Sequence, residues 1–498
     1  MYVSGRHRIL SASTKSLSGP LFVLVSVLIA GSGCAAVGSA YRRPDISVPA
    51  AWHGVRAGDN TATAQRTEDL SAWWVRLGDP ILTGLIEQAL AGSTELRIAR
   101  AKLREARARR DLAGADYFPA VKASASAGRS KNSTETGSGG KGKLYQAGFD
   151  ASWEPDIFGG NRRGVEAAQA DLESSEAALR STQVSLAAEV ALNYVEARSL
   201  QARLDIARKN LSSQSETVRL TDWRAQAGLV TSLDVEQSRA NLEQTRAGIP
   251  TLSASLAEAE NRLAILLGRT PGAVHERLAA PAPVPAVPEG IAIGIPADTL
   301  VQRPDVQAAE RKLAAETARV GQAKAARYPG LTLSGSIGLE ALTLGGLNAS
   351  GAVTRSLLAS VAGVIFDGGR LRSQVEIQSA IQEQAMIQYE AAVLAALEDV
   401  EDALVSLTEI RRREEALRDA VEAARNAASL ARHRYTGGLI DFQTVLETGR
   451  TVLTVEDSLA SAEADRASAL IRLYKALGGG WATKDSGNSA GIADGGKS

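Results

Sequence analysis

YQAGFDASWEPDIFGG, residues 145–160, sets two periodicities back to back. Tyr145, Ala147, Phe149, Ala151 and Trp153 alternate with Gln146, Gly148, Asp150, Ser152 and Glu154. That two-residue repeat is the mark of a strand with one apolar and one wetted face. Pro155-Asp156-Ile157-Phe158-Gly159-Gly160 makes a corner, after which the spacing turns helical. No proline interrupts the run from Asn161 to Ile249. Helical spacing holds for roughly sixty residues after the corner, and at 1.5 Å per residue that is roughly 90 Å, a length rare in compact soluble domains.

The device occurs twice. Leu357 to Phe366 reads as a strand, Asp367-Gly368-Gly369 as the corner, and Arg370 to Arg434 as the long helix. Phe118-Pro119 answers to Tyr328-Pro329, Gly228-Leu229 to Gly438-Leu439, and Leu267-Gly268 to Leu477-Gly478. Each offset is about 210 residues, so the chain is a tandem duplication of one long unit.

Composition narrows the function classes. Among 498 residues aromatics make up 4% and the formal net charge is zero. Such a chain suits long, closely packed helices and offers no basic surface for nucleic acid. His7, His53, His275 and His433 are scattered without metal-ligand spacing, so neither a metal nor another cofactor is expected. Cys34 stands alone, which excludes an internal disulfide. No nucleophile elbow or zinc-type His pair is present. Gly137, Gly142 and Lys143 nearly spell a phosphate loop, but Leu144 stands where a hydroxyl must hold magnesium, and strands flank the stretch on both sides. The chain is not expected to be an enzyme.

Arg6, Arg8 and Lys15 precede the apolar run Leu21 to Ala30, a secretory signal over residues 1–33. Gly31-Ser32-Gly33-Cys34 resembles a lipoprotein cleavage site that would leave Cys34 as the acylated first residue. The plainer alternative is an ordinary signal peptide beside a chance cysteine. An N-terminal extension over 34–75 leads to a first repeat, 76–270, with a helix from Glu87 to Ala115 and a strand from Tyr117 to Arg129. Lys131 to Lys143, free of apolar side chains, reads as a solvated hairpin tip. A Pro-rich connector spans 271–301, with Pro281, Pro283, Pro285 and Pro288. The second repeat, 302–480, carries a helix from Asp305 to Arg327 and a strand around Leu331 to Leu339. A Gly/Ser-rich tail over 481–498 is expected to be disordered. Val190, Tyr194, Ala197, Leu204, Ala207 and Leu211 keep three-four spacing in the first long helix, as do Val393, Leu397, Val400, Leu404 and Leu407 in the second. Gly228 and the Gly437-Gly438 pair end these helices. Return helices follow over Val235 to Leu267, kinked at Pro250, and over Phe442 to Leu477.

Several ordered motifs carry a resemblance. Cys34 is followed by Val37-Gly38, Tyr41, Pro44, Pro49 and Trp52, then by Trp73-Trp74 and Asp79-Pro80-Ile81-Leu82. Further on come Trp153-Glu154-Pro155-Asp156-Ile157-Phe158-Gly159, Arg303-Pro304-Asp305-Val306 and Asp367-Gly368-Gly369-Arg370. From about Cys34 to Gly480 the chain resembles the TolC-like outer-membrane factors, in their lipoprotein branch of efflux channels. A local core anchor is a second, compatible reading of the Trp73-Trp74 pair.

Four strands per chain cannot close a barrel, for which about eight is the lower limit, and an open edge in lipid leaves backbone groups unpaired. Assembly with further copies is required. The pattern leaves two or three copies open, and the resemblance implies a homotrimer. The fold expected is mainly α with a membrane β-barrel: a twelve-stranded barrel and a periplasmic α-barrel. The resemblance further implies an outer-membrane, lipid-anchored duct of a tripartite small-molecule efflux system, meeting a periplasmic adaptor and an inner-membrane pump. Gly228, Leu229, Gly438 and Leu439 would form the adaptor-contact tip. Asp234 and Glu447 would ring a periplasmic gate, where threefold carboxylates favour cations, and Tyr435 would tie inner to outer helices. Thr444 stands where relatives often carry a second aspartate. A duct for type I protein secretion and a non-conducting trimeric coiled-coil scaffold are the alternatives.

Overall fold

The computed structural model describes residues 37–53, 62–63, 70–135, 139–288, 291–292 and 296–481. The secretory segment, Cys34 and the tail after Trp481 lie outside them. The long elements are α1 Pro80–Gly92, α2 Thr94–Ala115, β1 Ala120–Lys131, β2 Lys141–Trp153, α3 Gly160–Gln226 and α4 Ser232–Leu266. They continue with α5 Pro304–Ala325, β3 Gly330–Ala341, β4 Val353–Ala362, α6 Arg370–Thr436 and α7 Phe442–Ala476.

The duplication is preserved to the residue in four pairs of elements, while β2 and β4 differ, at 13 and 10 residues. α3 and α6 each hold 67 residues, α4 and α7 each 35, α2 and α5 each 22, and β1 and β3 each 12. Their first residues, Gly160/Arg370, Ser232/Phe442, Thr94/Pro304 and Ala120/Gly330, all stand 210 apart.

The chain divides into two compact units. One comprises the segment up to Tyr41 with Arg110–Ala168 and Ala315–Gln382. Its sheet runs β1-β2-β3-β4, every neighbour antiparallel. The register carries the alternation across all four strands. Val121 pairs with Ala151, Ala151 with Gly335 and Gly335 with Leu357; Ala123 pairs with Phe149 and Phe149 with Ile337; Ala125 pairs with Ala147, Ala147 with Leu339 and Leu339 with Val353. One face is therefore apolar, with Arg355 intruding opposite Ile337. The other face is mostly a polar ladder, interrupted by Leu144 and Leu358, in which Ser124 donates to Asp150 at 3.0 Å, Gln146 to Glu340 at 3.0 Å, and Ser336 bonds Ser356 at 2.7 Å. Phe149, Ile337, Leu357 and Val361 are all exposed in the single chain.

β1 and β2 run into the expected Lys131–Lys143 tip, to Lys131 and from Lys141, and β4 starts at Val353 rather than Leu357. At the opposite end of the sheet two boundaries differ for one reason. β1 begins at Ala120 rather than Tyr117, and β4 ends at Ala362 rather than Phe366. The ladders stop beside Pro119 and Pro329, whose nitrogens have no proton to donate. Helix starts follow the corners: Asp156 accepts from the Asn161 and Arg162 amides at 3.2 and 2.7 Å, and Asp367 from those of Gly369 and Leu371, both at 2.8 Å.

The other unit comprises Arg42–Arg109, Gln169–Ala314 and residues from Glu383 onward. Its core gathers Trp73, Leu82, Leu85, Ile86, Leu186, Tyr194, Leu263, Leu470 and Tyr474 with many alanines. Trp73 stacks on Tyr474 at 5.2 Å and meets Trp74 edge-on at 5.8 Å, so the tryptophan pair is a core anchor. The expected helix from Glu87 to Ala115 is two helices. Gly92-Ser93 breaks it: Ser93 takes φ −54° and ψ 138°, and its hydroxyl accepts from the Glu95 amide at 3.3 Å. Helix α4 is assigned as one element through Pro250, which is exposed. Pro250 has no proton for the Arg246 carbonyl, which solvent can reach on that side. In the seams, Val190, Tyr194, Ala197, Val393, Val400 and Leu404 are buried.

Candidate gate and docking tip

Each long helix ends in the same construction. In the first turn the Leu229 amide donates to the Arg224 carbonyl at 2.8 Å, and Gly228 takes φ 68°. In the second, the Leu439 amide donates to the Arg434 carbonyl at 2.9 Å, and Gly438 takes φ 73°. This six-to-one bond over a left-handed residue is a Schellman ending, and its φ is why glycine stands there. Leu229 and Leu439, 71% and 76% exposed, project unsupported into solvent.

The return helices start from mirrored caps. Thr231 caps α4: its hydroxyl accepts from the Asp234 amide at 3.4 Å, while the Asp234 carboxylate accepts from the Thr231 amide and hydroxyl at 2.9 and 2.8 Å. In α7 the residue types are exchanged. Asp441 is the cap and accepts from the Thr444 amide and hydroxyl at 2.9 and 2.6 Å. These bonds from Thr444 hold the Asp441 carboxyl below its ordinary range. Each tip thus keeps one carboxylate near a helix N-terminus, one turn apart in the two halves.

Tyr435 is buried in a small cluster with Ala431, Phe442 and Val445, its ring 5.4 Å from that of Phe442. Its hydroxyl has no hydrogen-bond partner among the described residues. Arg224, in the last turn of α3, lies 4.5 Å over the Tyr435 ring and donates to the carbonyls of Tyr435 and Thr436 at 3.3 and 3.2 Å. The guanidinium thereby joins the C-terminal ends of α3 and α6, where two helix dipoles favour a cation. Above it Arg203 forms a forked pair with Asp457 at 2.7 and 3.1 Å, and Arg450 donates to Asn241. A groove of 520 Å³ between these helices is lined by Lys209, Asn241, Arg425, Arg432, Arg450 and Glu456.

Asp234 therefore serves a capping box, Tyr435 packs the tip, and Glu447 is exposed without a side-chain hydrogen bond or ion pair among the described residues. No bond joins Asp234 to Glu447 there. Sequence reasoning passed over Arg224 and Asp441. Asp441 carried a signal, an N-cap residue three before a threonine; Arg224 carried only its place in a last helical turn.

No helix among the described residues is long and apolar enough to cross a membrane. The profile of the family described as "Outer membrane efflux protein" matches residues 85–269 and again 295–479, the two repeats. The chain belongs to that family. It is 31% identical over 484 residues to outer membrane protein OprJ of Pseudomonas aeruginosa, covering 96% of this chain and 99% of OprJ. It is 33% identical to the pyoverdine export outer membrane protein OpmQ of the same organism, covering 88% and 92%. Among solved structures, that of the outer-membrane channel OprN matches with a TM-score of 0.83 at 37% identity, covering 89% of this chain and 99% of that one. The protein is an outer-membrane efflux channel with the fold of these relatives, and the family consists of channel proteins rather than enzymes.

Proposed function

We propose that three copies of this chain close a twelve-stranded barrel in the outer membrane and form the exit duct of a tripartite small-molecule efflux system. The carrying observation is the open sheet. Four strands place mostly apolar residues in register on one face and mostly hydrogen-bonded polar residues on the other, with the outer edges of β1 and β4 unpaired among the described residues. Lipid tolerates neither free edge. From Leu331 to Ala341, β3 extends about 33 Å, which at a tilt near 40° spans about 25 Å of depth, the height of a barrel's apolar band. The apolar face meets lipid and the polar ladder lines water.

The paired hairpins α3–α4 and α6–α7 form the periplasmic part of the duct. Their exposed turns at Gly228-Leu229 and Gly438-Leu439 meet a periplasmic adaptor, and an inner-membrane pump supplies the energy. Gating lies at those turns: Glu447 and Asp234 present carboxylates near the axis, and Tyr435 holds the packed tip. Cys34, once acylated, adds a lipid anchor. Relatives named for pyoverdine export and toluene efflux support small molecules as cargo. The test is conductance of the purified protein in planar bilayers, together with an image of the particle. Cation-selective channels in a threefold hollow tube are expected. Particles that pass no ions would leave the scaffold reading in place.

A further inference from the structure

The apolar face of the sheet changes character at its loop end. Two residues beyond Tyr145 on β2, on the same face, stands Lys143, and two further on Lys141. Across the ladder Arg129 pairs with Lys143, and Lys131 with Lys141. Two successive rows are thus cation directly opposite cation, and all four side chains are exposed. Among the described residues none of the four has an ion pair or side-chain hydrogen bond. The nearby acids are placed otherwise: Glu340 bonds Gln146 on the polar face, and Glu135 lies in the loop beyond Lys131.

Like charges directly opposite on a ladder destabilise the pairing. A hairpin needing only solubility would alternate signs, as surfaces commonly do. Apart from Arg355 opposite Ile337, the face is otherwise built for hydrocarbon, and Lys143 lies about 7 Å and Lys141 about 13 Å along the strand past Tyr145. Those offsets bring the ammonium and guanidinium groups to headgroup depth, where anionic lipid supplies the missing counter-charge.

We propose that Arg129, Lys131, Lys141 and Lys143 form a basic collar that binds the phosphate groups of anionic lipid in the outer leaflet. The proposal rests on the reading that the apolar face meets lipid. Arg129 offers a planar fork and the three lysines offer point charges, together enough for more than one phosphate per protomer.

The experiment uses the full-length protein in nanodiscs of phosphatidylethanolamine containing a graded fraction of diphosphorylated lipid A, with bound lipid counted by native mass spectrometry. Wild type is expected to retain lipid A at least tenfold more strongly than phosphatidylethanolamine, and to lose that preference when the lipid phosphates are removed enzymatically. The quadruple change Arg129→Gln, Lys131→Gln, Lys141→Gln and Lys143→Gln should remove the preference, whereas Lys122→Gln, on the opposite face, should leave it intact. A quadruple variant that assembles and still retains lipid A within twofold of wild type overturns the proposal. So does complete displacement by millimolar inorganic phosphate, which would mark a site for a soluble anion. Photo-crosslinking from p-benzoylphenylalanine placed at Phe149 separates the two readings. Acyl-chain adducts without lipid A preference sink only the collar; no lipid adducts sink the face assignment beneath it.

Discussion

Replacing Arg224 by alanine should loosen the tip, and the structure sets the scale. The guanidinium stacks over Tyr435 at 4.5 Å and donates to the carbonyls of Tyr435 and Thr436 at 3.3 and 3.2 Å. A half-exposed cation–π contact contributes about 0.5–1 kcal/mol. Hydrogen bonds from a charged donor contribute about 1.5–3 kcal/mol each; the lower end or less applies, because these exceed the ~2.9 Å of a strong charge-assisted bond and solvent reaches them. The clamp then contributes about 2–3 kcal/mol per protomer. If opening separates the ends of α3 and α6, its loss raises the open fraction about 30- to 150-fold per protomer until it saturates. Planar-bilayer recording of Arg224→Ala should show long open dwells, and cells carrying it should admit a bulky antibiotic such as vancomycin. Arg224→Lys keeps the charge but not the fork and should fall between. Tyr435→Phe should gate as wild type, since the hydroxyl it removes bonds nothing in the described chain, whereas Tyr435→Ala should leak. An Arg224→Ala variant whose dwell times stay within twofold of wild type would refute the clamp.

Three other outcomes are expected. Gly338→Val should weaken the β2–β3 pairing by about 1–3 kcal/mol, because a Cβ there would lie 2.8 Å from the Ala147 carbonyl oxygen and 3.1 Å from Gly148 Cα; loss of trimers on mild gels reads it. Trp73→Ala removes a fully buried ring stacked on Tyr474, and the denaturation midpoint should fall by the equivalent of about 3–5 kcal/mol. His275 Nδ1 lies 2.7 Å from the buried Glu260 carboxylate, whose hydrogen bond and charge raise the imidazole above its ordinary 6.5. The pairing is in full effect below that value and is lost as pH rises through the higher folded value. Melting followed across pH 5–8 should show stability falling with pH in wild type, and a flat profile over that window in His275→Gln.

Much of this architecture is written in short-range pattern. The alternation from Tyr145 to Trp153 fixes which face of β2 is apolar, and the ladder carries that choice across three further strands. Gly228 and Gly438 announce their turns because only a left-handed residue closes them. The break at Gly92-Ser93 was legible too, as a glycine before a capping serine, but helical spacing on both sides masked it. What no local pattern holds is the meeting of distant groups. Arg224 reaches carbonyls 211 and 212 residues away. A basic residue in a last turn is as often solvated, so only the packed hairpins distinguish the clamp. Asp234 shows the opposite difficulty: the capping box it forms with Thr231 is legible in their spacing, but the same spacing serves a gate carboxylate equally well, so local pattern does not separate the two roles.

The equal lengths of the paired helices constrain how such a protein can change. One residue added to α3 alone would turn its end by 100° and advance it 1.5 Å past α6, swinging Arg224 away from Tyr435 and its own turn out of step with its twin. Tolerable length changes must therefore come in whole heptads and arrive in both halves together. A lineage cannot lengthen or shorten this duct one codon at a time; its reach is quantised, and the two copies are bound to a common ruler.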